Sequence, residues 1–107
     1  MKGTRSHAKR ALISGASGDN TLVAAVSGKR IRVLSFFLVC ADAVTVRFEG
    51  GAGGTALTGV MSFAANGGIS CPHNDLGWFE TAAGVLLNME LGGAVQVSGA
   101  ITYEEVL

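Results

Sequence analysis

The chain has 107 residues, no net formal charge, 49% hydrophobic residues, 7% aromatics, 16 glycines and one proline. That length supports a single domain with one core, and a Val, Leu, Ile and Ala core between many glycine turns favours short strands over helices. The longest apolar run, 33–41, has nine residues, against about 20 for a membrane-spanning helix, so a soluble protein with no membrane partner is expected.

The charge is unevenly distributed. Through residue 32 seven cations face only Asp19, for +6, and beyond it Arg47 faces seven acids, for −6. The first ten residues, "MKGTRSHAKR", hold Lys2, Arg5, Lys9 and Arg10 without an acid. Residues 1–9 are read as a basic arm and 10–107 as the domain. The arm's sign, opposite to that of the rest, suits docking on an acidic protein surface or a neighbouring subunit. It lacks interleaved aromatics, and nucleic acid is not the expected partner. The next segment is interrupted by Gly15, Gly18, Asp19 and Asn20, so it is not read as a secretory signal.

Weak strand candidates lie at 10–14 and 21–26, bounded by "SGASGDN" and "SGK". "GASGD" lacks the second glycine of a nucleophile elbow. The segment "KRIRVLSFFLVCA" (29–41) then changes character midway. Arg30 and Arg32 alternate with Ile31 and Val33, but from Leu34 onward both strand faces are apolar. Strict alternation puts Leu34, Phe36 and Leu38 on the arginine face, with Phe37 and Val39 opposite. An apolar second face marks an interface, which makes Leu34, Phe36 and Leu38 candidates for a contact between copies. The alternative is cover by the chain's own N-terminal segment or its "GGAGG" loop.

"AVTVRFEGG" alternates cleanly, Val44, Val46 and Phe48 inward and Thr45, Arg47 and Glu49 outward, before "GGAGG" supplies a turn. No Gly-Lys-Ser/Thr follows those glycines, so they are not read as a phosphate loop. Further weak strands fall at 55–63, 68–71 and 77–80. Between the last two, "CPHND" spaces Cys71, His73 and Asp75 at alternate positions. A closed zinc site needs four ligands; His7 lies in the arm and Cys40 in the apolar run, so a turn is expected, with no metal and no cofactor. Side chains two apart on a strand stand about 6–7 Å apart and parallel, which removes a Cys71–His73 nucleophile–base pair and with it the expectation of an enzyme. Both cysteines are expected reduced.

Trp78 and Phe79 fall on opposite faces, leaving Trp78 as a candidate ligand-binding or interface aromatic. "VLLNMEL" places Val85, Leu87, Met89 and Leu91 on one face, and "VQVSGAITYEE" does the same for Val95, Val97, Gly99, Ile101 and Tyr103. Eight or nine short strands and no helix predict an all-β fold, an antiparallel β-sandwich of jelly-roll-like type.

Four blocks, "SGDNTLVAAVSGKRIRVLSFFLV", "GGTALTGVMSFAANGGI", "GWFETAAGVLLNMEL" and "VQVSGAITYEEV", together resemble small structural proteins of tailed bacteriophages. The resemblance implies a capsid decoration, or cement, protein: a non-catalytic homotrimer on the outside of the expanded head, made in the host cytoplasm, with the major capsid protein as partner. It carries no catalytic motif. The second expectation is a receptor- or carbohydrate-binding module of a tail or fibre, using Trp78.

Overall fold

The computed structural model describes residues 7–107. Among these described residues ten strands form two five-stranded sheets, and every pairing between them is antiparallel. The first sheet runs β1 (Lys9–Gly15), β10 (Val97–Val106), β3 (Arg30–Cys40) and β7 (Gly68–Cys71), with β8 (Phe79–Glu80) also on β3. The second runs β2 (Gly18–Val23), β9 (Leu87–Leu91), β4 (Val44–Gly50) and β5 (Thr55–Ala56), with β6 (Met61–Phe63) also on β4. The expected all-β sandwich is therefore what forms. The weak candidate at 55–63 resolves into two short strands, and the one at 77–80 shrinks to Phe79–Glu80.

The strands pair in reverse order of sequence. β1 takes β10, β2 takes β9, β3 takes β8 and β7, and β4 takes β6 and β5. The chain is thus a long antiparallel ribbon, doubled back at the glycine turn after β4, whose successive rungs go alternately to the two sheets.

Period-2 alternation builds the core. Leu87, Met89 and Leu91 of β9 and Val44, Val46 and Phe48 of β4 pack with Ile13, Ile31, Val33, Leu38, Val97 and Ile101 of the other sheet. Phe48 stacks on Phe79 with ring centroids 5.0 Å apart, and Phe36 meets both edge-on at 5.4 and 5.8 Å. Edge-to-face and offset contacts at this spacing are the favoured aromatic geometries.

The long strand β3 departs from strict alternation. Tyr103 lies opposite Val33, but Thr102 lies opposite Ser35, so Leu34 is an extra residue in a β-bulge. The bulge resets which face each following residue takes. Ile31 and Val33 point inward before it, and Phe36, Leu38 and Cys40 point inward after it. The same place divides the strand's other edge: β7 pairs with residues 36–39 and β8 with 32–33. Between them Asn74 N–H donates to the Leu34 carbonyl at 2.9 Å and Trp78 N–H to the Val33 carbonyl at 2.8 Å.

Candidate functional site

The bulge overturns the expected contact face. Phe36 and Leu38 belong to the protein's own core, and Leu34 is buried as well. None of the three is available to a second molecule, because the inserted residue shifts the apolar half of β3 by one position relative to the arginines. What it leaves outside is Phe37, 53% exposed, and Val39, 52% exposed.

These two side chains continue a pattern across the sheet. The register places Leu12, Ala100, Phe37 and Ser70 in one row over four strands, and Ser14, Ser98, Val39 and Gly68 in the next. Leu12 is 76% exposed. The outer face of the first sheet therefore carries an apolar stripe of Leu12, Ala100 and Phe37, joined by Val39 and bordered by serines. Gly99, between them on β10, lets that strand lie close against β3: a Cβ there would overlap the Phe37 carbonyl oxygen. Burying a large apolar side chain contributes about 1.5–3 kcal/mol, so two or three such residues held on a rigid sheet favour association.

Beside the stripe, level with the bulge, is an open recess of about 500 Å³. Its polar floor is the row Arg10, Thr102 and Ser35, and its far wall is Pro72 and His73. The wall is pinned from behind, Trp78 Nε1–H donating to the Pro72 carbonyl at 2.8 Å and Asn74 Oδ1 accepting from Leu76 N–H at 3.0 Å. Trp78 is 45% exposed. His73 Nε2 lies 2.6 Å from Asp75 Oδ1, while Cys71 packs against the core. The three residues of "CPHND" do not converge as ligands. Both cysteines are free thiols, and burial pushes each thiol's pKa up.

Three cations of the basic first third, Lys9, Arg30 and Arg32, pair with acids of the remainder. Arg32 bonds Glu80 at 3.0 Å and Glu104 at 3.4 Å, Arg30 bonds Glu80 at 3.1 Å, and Lys9 bonds Glu105 at 3.1 Å. Hydrogen bonding from Arg32 holds the Glu80 carboxyl below its ordinary pKa, against burial. The charged half of β3 is thus an ion-pair ladder across the sheet. Lys9 and Arg10 are strand residues of β1 rather than an arm, which puts Lys9 in the domain; Lys2 and Arg5 lie outside the described residues. Among the described residues Arg10 and Lys29 enter no ion pair.

Sequence reading gives no hint of a polar network on the outer face of the second sheet. Glu49 is wholly buried there, yet bonded by Arg47, by Asn88 Nδ2 at 2.9 Å and by Gly53 N–H at 3.2 Å. Burial pushes its pKa up, but those hydrogen bonds and the Arg47 charge outweigh it and hold the carboxyl below its ordinary value. Arg47 also bonds Glu90 at 2.8 Å, and Asn88 Nδ2 reaches Asp19 at 3.0 Å. Oxygens of Asp19, Glu49 and Glu90 lie within 4.8 Å of one another, a spacing that suits a cation. The Arg47 guanidinium already binds two of them.

No family model matches this chain, and no curated protein matches it significantly.

Proposed function

We propose that the chain is a non-catalytic structural protein of a tailed-bacteriophage head: a decoration, or cement, protein that binds the outer surface of the expanded shell and associates with copies of itself. The observation that carries this reading is the uncovered apolar stripe of Leu12, Ala100 and Phe37 with Val39, presented by a sandwich that fills its own core. An exposed apolar patch on a rigid face is a contact surface by its chemistry.

Three considerations support the reading. Reverse-order pairing of the strands across two sheets fits the jelly-roll winding that the resemblance of the four sequence blocks implies. A shell also repeats its sites by symmetry, so a modest contact at each one adds up by avidity. Arg10, unpaired at the border of the stripe, gives an acidic shell surface a charge to meet.

The experiment is co-sedimentation with expanded capsids that lack the protein. The intact chain is expected in the pellet, and Phe37→Asp in the supernatant. Intact protein that stays in the supernatant contradicts the reading.

A second reading, a carbohydrate-binding module of a tail or fibre, draws on the half-exposed Trp78 beside the recess. Its test is tryptophan fluorescence across a glycan panel. A saturable change with one glycan favours it, and an unchanged spectrum throughout counts against it.

A further inference from the structure

The four edges of the two sheets are not alike. Opposite β1, the first sheet's edge is split between four-residue β7 and two-residue β8. In the second sheet one edge is shared by β5 and β6, of two and three residues, and the other is β2, whose register with β9 shifts between Thr21 and Val23. Short, broken or bulged edges resist pairing with another chain. Among the described residues β1 has none of these protections. It runs seven residues in unbroken register with β10, contains no proline, and exposes Leu12 at its centre.

We infer that two copies of this chain pair through β1, antiparallel about Leu12, so that their first sheets join into one continuous sheet. This rests on the self-association in the reading above and specifies its geometry.

The register follows from the residues. With Leu12 opposite Leu12 of the second copy, Arg10 falls opposite Ser14, Ala11 opposite Ile13 and Lys9 opposite Gly15. No two cations meet, and like charges directly opposite are what a strand pair avoids. Centring on Ala11 would set Lys9 against the core residue Ile13, and centring on Ile13 would shorten the paired stretch to 11–15. Only the Leu12-centred register carries the apolar stripe across the joint, running Phe37, Ala100, Leu12 and then the same three residues in mirror order. The contact is isologous, so it closes with two copies. A seven-residue strand pair is a small interface by the standard of stable complexes, which makes it concentration-dependent in free solution and persistent where a surface holds copies side by side.

Leu12→Cys, in a Cys71→Ser background, tests the geometry. Two-fold pairing puts the two introduced thiols directly opposite, and mild oxidation is expected to convert most of the protein to a covalent dimer. Val39→Cys in the same background, two strands in from the edge, is expected to give little. Sedimentation equilibrium run alongside should show the wild type approaching twice the monomer mass as concentration rises, and Leu12→Lys remaining at monomer mass. A wild type that self-associates while Leu12→Cys fails to cross-link and Leu12→Lys still associates overturns the edge pairing and leaves the self-association standing. A wild type that is monomeric throughout overturns both. Capsid binding lost in Leu12→Lys while the free wild type stays monomeric assigns β1 to a strand of the shell protein, which also overturns the pairing of copies.

Discussion

Phe36 and Phe37 are neighbours in the chain and lie on opposite sides of the first sheet, Phe36 6% exposed against Phe48 and Phe79 and Phe37 53% exposed over the outer face. The bulge at Leu34 sets which of the two goes inside. Fold and proposed contact surface are therefore decided by the same residue insertion.

Alanine substitution separates the two rings. Phe36→Ala is expected to cost about 3–5 kcal/mol, as for other buried aromatics. Phe37→Ala should change stability by about 0.5 kcal/mol or less, as surface substitutions do, while weakening capsid binding. Urea denaturation of dilute protein measures both stabilities, and co-sedimentation with capsids measures the binding.

Deleting Leu34 should be tolerated better than deleting Phe37. Without Leu34, Val33 and Ser35 become consecutive in a regular ladder, and Phe36, Leu38 and Cys40 keep their inward positions. Without Phe37, either the segment beyond it or the segment before it must turn over, because a one-residue slip moves every side chain to the other face. Circular dichroism and amide spectra are expected to show a folded, less stable protein for the first deletion and an unfolded one for the second.

Glu49 and Glu80 both have carboxyl pKa values held below the ordinary range. A carboxylate depressed in the folded state stabilises it above the unfolded-state pKa, near about 4.3, and that stability is lost as pH falls through the folded value. The Tm of the wild type should therefore be nearly flat around neutrality and drop on acidification below about pH 5. Glu80→Gln, at the more accessible of the two sites, should lower the neutral Tm slightly and make the acid drop shallower. An equally steep drop in that variant would remove Glu80 from the cause.

Native thiols should react slowly with a disulfide reagent, Cys71 before Cys40. Cys40 is fully buried and Cys71 partly, and burial raises the thiol pKa of both, which lowers the thiolate fraction that reacts. Mass spectrometry of timed samples reads the order directly. Equal rates would mean that the Cys40 end of β3 opens as readily as the loop after β7.

Much of the fold was legible because β4, β9 and β10 alternate cleanly, and their inward residues Val46, Phe48, Met89 and Ile101 are buried as the pattern requires. The contact face was not, because alternation counts residues and a bulge changes the count. Leu34 and Ser35 follow one another where "RIRVLSFF" changes pattern, and a break in alternation signals a bulge as well as an apolar second face. Leu12 was hidden beside Arg10 in a segment too short to show periodicity. Glu49 reads as an outward residue, and it is, but the turn after β4 covers it: Gly53 N–H and Asn88 reach it through contacts remote in sequence or dependent on a loop's path. The pairing of Arg30 and Arg32 with Glu80 and Glu104 likewise depends on which strands flank β3, a fact of topology that charge counting does not contain.

The most direct measurement is sedimentation equilibrium of the wild type and Leu12→Lys across a wide concentration range. A contact between copies at Leu12, the β1 end of the outward stripe, requires the wild-type mass to rise with concentration and the Leu12→Lys mass to stay at that of a monomer, with both proteins equally folded. A wild type that remains a single copy at every concentration, or a Leu12→Lys protein that associates as the wild type does, would contradict it.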